Sequence, residues 1–364
     1  RGCRRRTRTS GCARTAVELT FDDRPLARNV LNSPLNRSKR TPDAQMELVT
    51  LAKNPVPSGP VVGAFDGYDG KPLRYAVWQA TRGPRRGTVC LFHGRGEFIE
   101  KYFESIADLR GRGFAVATFD WRGQGGSYRA LSNPRKGHIK DFLEYEKDIL
   151  RFMKDIVLPD CPPPFFALAH SMGGNILLRH AARPGTWFDR IILTAPMSAF
   201  ADERVGVPQN LARLYAEASS ISGMATSYIY GGNDDVEGLS RFEDNPLTSD
   251  RERWSRNKAV LEVAPELGLG APTVGWLRAA YRSNAIISHR DFGPSVKIPV
   301  MLFAAGKDRI VSTRAVEEFG VGLKVGNLVL IPGCRHEVLQ ERDVFRQRFW
   351  AAFDAYLGVK KIAA

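Results

Sequence analysis

The 364-residue chain contains no apolar run approaching the ~20 residues that a helix needs to span a bilayer. Cysteine is scarce: five residues, odd in number and scattered at positions 3, 12, 90, 161 and 334, with no C-x-x-C pair and no His/Cys ligand spacing. That indicates neither a disulfide framework nor a zinc site and suits a reducing compartment. Phosphate-cradling loops are missing as well, since no G-x-x-x-x-G-K is present and no G-x-G-x-x-G opens a helix. Histidine is limited to six residues, so the position of each carries information. A basic field spread over the whole chain is also lacking. The net charge is +14, but residues 1–40 hold eleven Lys and Arg against three Asp and Glu, a net of +8, which leaves +6 for the other 324 residues. The excess sits in a tail, so the charge is no argument for nucleic-acid binding.

What is present is a series of short apolar strands, each ending in a loop with chemistry on it. Phe165-Phe166-Ala167-Leu168-Ala169-His170 runs into Ser171-Met172-Gly173-Gly174, and a helix-forming segment follows until Pro184 and Gly185 stop it. Strand, sharp turn and helix with serine at the turn form an elbow that lifts the hydroxyl above the sheet edge and sets the next N–H at a helix N-terminus. The usual pattern is G-x-S-x-G; here Ala169 fills the first position. Taken alone, the match is weak, and the alternative is a buried serine at an ordinary strand-to-helix junction. Two later loops change that balance. Val300–Ala305 leads to Asp308, and Leu328–Ile331 leads to His336. Serine is a poor nucleophile unless a histidine takes its proton and a carboxylate holds the imidazole tautomer. The order Ser171, Asp308, His336, each after its own strand, supplies all three. Asp202, after the strand Ile191-Ile192-Leu193, is the fallback acid.

Upstream, Thr88–Phe92 runs into His93-Gly94-Arg95-Gly96-Glu97, where glycines allow a backbone N–H to turn toward the serine and complete an oxyanion hole with the N–H of Met172. The loop Asp120–Ser127 reads as structural, with Asp120 and Arg122 bracing neighbouring loops. On these segments the chain resembles the α/β-hydrolase group that contains bacterial lysophospholipases and monoacylglycerol lipases. The likeness rests on H-G-x-G-E at 93–97, D-x-R-G-x-G-x-S at 120–127, G-H-I-x-D-F at 137–142, A-H-S-M-G-G at 169–174, L-T-A-P-M at 193–197 and the two late loops. It covers roughly residues 60–358. Ala169 and Arg95 fit the lysophospholipase branch better than the lipase branch. The resemblance implies a serine hydrolase of single-chain lipid esters that needs no cofactor and no metal. It also gives the oxyanion amides to Arg95 and Met172. The Arg95 side chain then starts near the reacting ester, where it would meet a lipid phosphate or turn away to pair with Glu97 or a lid carboxylate.

The expected fold is α/β: a mostly parallel sheet with helices on both faces. A hairpin is expected at 61–79 and helices at 100–111, 139–157, 172–183, 313–320 and 343–357. Phe142, Tyr145, Ile149, Phe152, Met153 and Ile156 form one stripe of the second helix. Between Pro196 and Ser288 the alternation stops. The expected division is a basic tail at 1–45 without fixed structure, core at 46–198, a lid insertion at 199–287, and core again at 288–364. The insertion's aromatics are either the wall of an acyl pocket or the lid's own small core. The tail has no 7–15-residue apolar segment and so is no secretory signal. Its Arg and Ser/Thr content is faintly like a transit peptide, and a chain beginning at arginine also reads as translated upstream sequence with Met46 nearer a natural start. The expected setting is cytoplasmic, with a lipid ester as substrate, transient contact with the inner membrane surface, no nucleic acid and no obligate protein partner.

Overall fold

The computed structural model describes residues 47–359 apart from Arg82. The expected tail at 1–45 lies outside the described residues. Eight strands form one sheet in the order β1-β2-β4-β3-β5-β6-β7-β8. They are β1 Pro60–Asp66, β2 Pro72–Trp78, β3 Thr88–Phe92, β4 Ala115–Phe119, β5 Phe165–His170, β6 Phe188–Thr194, β7 Val300–Ala305 and β8 Gly326–Ile331. The first two pair as the expected hairpin, β2 also runs antiparallel to β4, and every later pairing is parallel. The sequence pattern follows the sheet. β3, β4, β5 and β7 are buried along their whole length, as central parallel strands covered on both faces must be. β8 lies at the edge and exposes Leu328 and Leu330.

Helices cover both faces. On one side lie α1 (Phe103–Gly111) and α8 (Asp343–Tyr356), which contribute Phe103, Ile106, Phe349 and Phe353 to one buried cluster. Between them in the chain come α2 (Leu143–Phe152), α3 (Ser171–Ala181), α4 (Gln209–Ser219), α5 (Arg251–Val263), α6 (Val274–Ile287) and α7 (Thr313–Gly322). Of these, α2, α3, α6 and α7 pack on the opposite face through Tyr145, Ile176, Ala280 and Val316. The stripe from Phe142 to Ile156 is buried throughout. Its helix starts at Leu143 rather than 139, because the Asp141 carboxylate takes the Leu143 N–H at 2.8 Å and opens the first turn there. The segment expected to begin a helix at residue 100 opens instead as a tight turn, Ile99–Tyr102, before α1.

The connection between β6 and β7 carries α4, α5 and α6, and the Asp250 and Thr273 side chains cap the last two helices by accepting from the N–H groups of Arg253 and Trp276. Its aromatics divide. Trp276 is buried in the main core against Phe142, with ring centroids 5.9 Å apart. Phe242 and Trp254 pair edge to face at 5.6 Å. Tyr230 is 93% exposed. Neither of the two expected uses accounts for the whole set, because three different surfaces compete for these rings.

Candidate active site

The turn after β5 is as tight as its sequence suggests. Ser171 has φ 51°, in the left-handed region that costs a non-glycine residue about 1–3 kcal/mol. Small neighbours permit it. A Cβ on Gly173 would lie 2.6 Å from the carbonyl oxygens of both Phe92 and His93, and one on Gly174 would lie 2.8 Å from Pro196 Cβ. Glycine at these positions lets α3 begin at Ser171 itself, pressed against the end of β3. The first N–H groups of α3, Met172 among them, have no partner one turn back in the helix.

Ser171, Asp308 and His336 come together from three strand ends. Ser171 Oγ lies 3.0 Å from His336 Nε2, and His336 Nδ1 lies 2.7 Å from Asp308 Oδ2. With the proton on Nδ1, the imidazole donates to the carboxylate and accepts from the serine hydroxyl. The second Asp308 oxygen accepts from the N–H groups of Ile310 and Val311 at 2.8 and 2.9 Å, which fixes the carboxylate plane. All three side chains are buried. Burial opposes the charge on Asp308, but the imidazole beside it and these hydrogen bonds hold its pKa below the usual range. Burial likewise works against a charged His336. The Asp308 charge and hydrogen bond outweigh it, with help from Glu337 and Glu97, and the pKa ends above its ordinary value. An imidazole whose protonated form is stabilised by a neighbouring carboxylate is the base that a serine nucleophile needs. Asp202 stands elsewhere: it is exposed on a short turn, and its carboxylate accepts from Gln209 at 3.1 Å.

The loop after β3 faces the serine. A Cβ on Gly94 would lie 3.2 Å from Ser171 Cβ. The Arg95 guanidinium points into the β6–β7 connection, donating to the carbonyl of Gly270 at 2.7 Å and lying 5.2 Å from the Trp276 ring. Asp120 and Arg122 brace, as expected. Asp120 bonds His93 Nε2 at 3.1 Å and Arg74 Nε at 2.8 Å, while Arg122 is shared between Asp69 and Asp148. The thiol of Cys334, two residues before His336, is buried and its pKa is pushed up by burial first and then by Glu341 and Asp308, so it is a packing group. Among the described residues, no three His, Cys, Asp or Glu side chains converge as a metal site.

Sequence reasoning passed over two features. His170 precedes the serine with its Nδ1 bound to Thr194 at 3.1 Å and its ring 4.7 Å from that of His336. Burial first, against the Glu97 charge, lowers its pKa to about 4, so it stays neutral. A second feature is a seam between the His336 loop and residues 245–249. Arg335 Nη1 donates to the carbonyls of Asn245 and Thr248 at 2.8 and 3.0 Å, and the Glu337 N–H donates to Leu247 at 2.9 Å. Ser249 Oγ donates to Glu341 at 2.5 Å. Local sequence has no signal for either, since both depend on partners far away in the chain.

A mostly parallel eight-stranded sheet with a strained serine at the β5–α3 turn, hydrogen-bonded to a histidine after β8 that bonds an aspartate after β7, defines an α/β-hydrolase. The solved structures agree. A soluble variant of monoglyceride lipase from Saccharomyces cerevisiae, bound to a substrate analog, superposes with a TM-score of 0.65 at 21% identity over 83% of this chain and 97% of that one. A carboxyl esterase from Bacillus coagulans in complex with glycerol gives 0.66 at 20% identity over 83% and 99%. The profile of the family described as serine aminopeptidase, S33, matches residues 83–343, and the chain belongs to that family. Similar proteins include lysophospholipase L2 of Escherichia coli K12, 31% identical over 293 residues covering 78% of this chain and 83% of that protein. Monoglyceride lipase of Mus musculus is 24% identical over 68% of this chain and 73% of its own length. The chain is a serine hydrolase of carboxylic esters.

Proposed function

We propose that the protein hydrolyses single-chain lipid esters, lysophospholipids before monoacylglycerols, through an acyl-enzyme. Ser171 Oγ attacks the ester carbonyl and its proton passes to His336 Nε2. Asp308 holds the imidazolium, and the N–H groups of Arg95 and Met172 hold the oxyanion. Collapse of the tetrahedral species breaks the ester C–O bond and expels the deacylated glycerol-based alcohol, which takes the proton from His336. Water, deprotonated by the same imidazole, then releases the fatty acid. The observation that carries this reading is the continuous chain of 3.0 and 2.7 Å hydrogen bonds from Ser171 through His336 to Asp308. The lysophospholipid preference is supported by the 31% identity to lysophospholipase L2 against 24% to the mouse monoglyceride lipase.

Residues 199–287 are read as a lid. Its outer helix α4 and the turn after it present Leu211, Leu214, Ile221 and Met224, 54%, 64%, 77% and 47% exposed. Such a face suits transient contact with a membrane or micelle surface, where the substrate resides. None of the described helices is long and apolar enough to cross a membrane. The setting proposed is peripheral, at the inner membrane surface.

The test is an ester panel with the purified chain: lysophosphatidylcholine, monoacylglycerol, p-nitrophenyl butyrate and an aminoacyl p-nitroanilide. Turnover should be highest on lysophosphatidylcholine and absent from the anilide. A faster anilide would make the chain a peptidase. Arg95→Ala keeps the backbone amide and removes the guanidinium. If that side chain exchanges the Gly270 carbonyl for the lipid phosphate, the kcat/KM ratio of lysophosphatidylcholine to monoacylglycerol should fall roughly 5- to 100-fold, the worth of one charge-assisted bond. An unchanged ratio removes Arg95 from head-group recognition.

A further inference from the structure

Beside the Ser171–His336 pair lies a second group of buried charges that the ester mechanism does not use. Lys101, at the start of the helical segment after β3, is 8% exposed, and its ammonium sits between two carboxylates. It is 2.9 Å from Glu97 Oε1 and 2.5 Å from Glu337 Oε1. Glu97 closes the H-G-x-G-E run, and its other oxygen accepts from the Gly94 N–H and from the Tyr102 hydroxyl, the latter at 2.7 Å. Glu337 is the residue after His336. The Lys101 carbonyl accepts from Gln340 at 2.9 Å, so the same residue also grips the far end of the His336 loop.

Burying three charges is costly. Ion pairs of this kind are often replaceable by apolar side chains without loss of stability, so stability alone is a poor reason for the cluster. Its placement supplies a better one. Gly94 is in contact range of Ser171, and the peptide that follows it carries the Arg95 N–H. The Glu97 carboxylate anchors the Gly94 N–H at the entry to that peptide, and the Gly94 carbonyl on the peptide itself accepts from Gln124 at 2.7 Å. A carboxylate attached next to His336 fixes the base. One ammonium bonded to both sets the distance between them.

We infer that Glu97, Lys101 and Glu337 form a positioning unit, which holds the oxyanion loop and the His336 loop in register across the reacting carbonyl. The inference rests on the proposed roles of Arg95 and His336. The unit touches no substrate and acts through those two loops. The Glu337 and Glu97 carboxylates both act to raise the pKa of His336, a field that favours the imidazolium formed in the attack.

The experiment compares Glu97→Gln, Lys101→Met, Tyr102→Phe and Ser171→Ala in the full chain, with p-nitrophenyl butyrate as substrate and phenylboronic acid as the transition-state probe. Glu97→Gln and Lys101→Met should lower kcat at least about tenfold with KM held within about threefold, because orientation is lost and binding is not. The inhibition constant of phenylboronic acid should rise in parallel with the loss in kcat. Tyr102→Phe removes one hydroxyl from Glu97 and should lower kcat about two- to fivefold. A merely structural role predicts a lower melting temperature with kcat and boronate affinity unchanged in the folded fraction, and that outcome overturns the inference. If the two charge variants do not fold, Tyr102→Phe decides, and wild-type kcat in it overturns the inference as well. Ser171→Ala separates the two levels: residual turnover there breaks the reading of the nucleophile, whereas an inactive Ser171→Ala beside a fully active Glu97→Gln breaks only the positioning unit.

Discussion

The strand-end loops beneath the site and the β6–β7 connection above it solve opposite problems. In the loops the carboxylates at the site are buried and bonded: Asp308 accepts from His336, Ile310 and Val311, and Asp120 holds His93, Arg74, Ile99 and Gly126. The connection is divided within itself. Residues 245–249 are stitched to the His336 loop, and α6 buries Trp276 in the main core. Residues 207–230 instead leave Val207, Leu214, Ile221 and Tyr230 at 50%, 64%, 77% and 93% exposure. Chemistry needs groups held within tenths of an ångström, which burial and multiple hydrogen bonds supply. In the proposed lid role, exposed apolar surface meets the lipid, and a segment with few buried contacts opens at low cost.

The sharpest way to break this comparison is to remove one carboxylate from each region. Asp308→Asn should cut kcat by on the order of 10⁴, because the amide stabilises the wrong imidazole tautomer, and Ser171→Ala should cost as much or more. Asp202→Asn, in the upper region, should stay within about twofold on the same soluble ester. The reverse ranking would move the acid out of the loop after β7.

The seam comes next. Arg335→Met removes two charge-assisted bonds from the guanidinium to residues 245 and 248, and loss of about 2 kcal/mol in positioning His336 corresponds to roughly 30-fold in kcat. The loss should be equal on p-nitrophenyl butyrate and on lysophosphatidylcholine. A loss confined to the lipid would make the seam part of substrate entry and not of the catalytic scaffold.

Leu211→Asp with Leu214→Asp tests the outer face. Each leucine is worth about 1.5–3 kcal/mol when fully buried, so partial insertion into lipid should make turnover of vesicle-borne lysophospholipid fall about tenfold or more. Turnover of the monomeric ester and the melting temperature should not move, since both side chains are exposed in the free protein. Equal losses on the two substrates would mean that α4 supports the site and not its contact with lipid.

The smallest effect concerns pH and the lower region alone. His180 on α3 is buried with neither ring nitrogen hydrogen-bonded among the described residues, and burial first, then the Arg183 charge, lowers its pKa to about 4. The unfolded chain takes up that proton near pH 6.5, so this histidine's contribution to stability is present above about pH 6.5 and is lost as pH falls toward 4. His170 acts in the same direction. His180→Phe should raise the melting temperature by a few degrees at pH 8, by relieving an unpaired polar group worth about 1–3 kcal/mol, and by more at pH 5. An identical gain at both values would show that the imidazole does not titrate on unfolding.

Much of this was legible in the chain itself. The buried strands announce themselves as apolar runs, because a parallel strand covered on both faces has no polar side to display. The elbow is readable from one serine and two glycines, since the close approach of α3 to the carbonyls of Phe92 and His93 admits nothing larger. The order Ser171, Asp308, His336 follows from which strands precede them, and local pattern is enough for that. Asp308 against Asp202 could not be settled the same way. Both follow strands, and only the sheet order and the fold of each loop decide which carboxylate reaches Nδ1 of His336. The direction of the Arg95 side chain, the dispersal of the connection's aromatics, the seam at residues 245–249 and the Glu97–Lys101–Glu337 cluster were likewise beyond the sequence. Each joins residues tens to hundreds of positions apart. Periodicity and propensity act over a few residues, whereas the pairing of buried charges and rings is set by which surfaces the packed core brings within a few ångströms of one another.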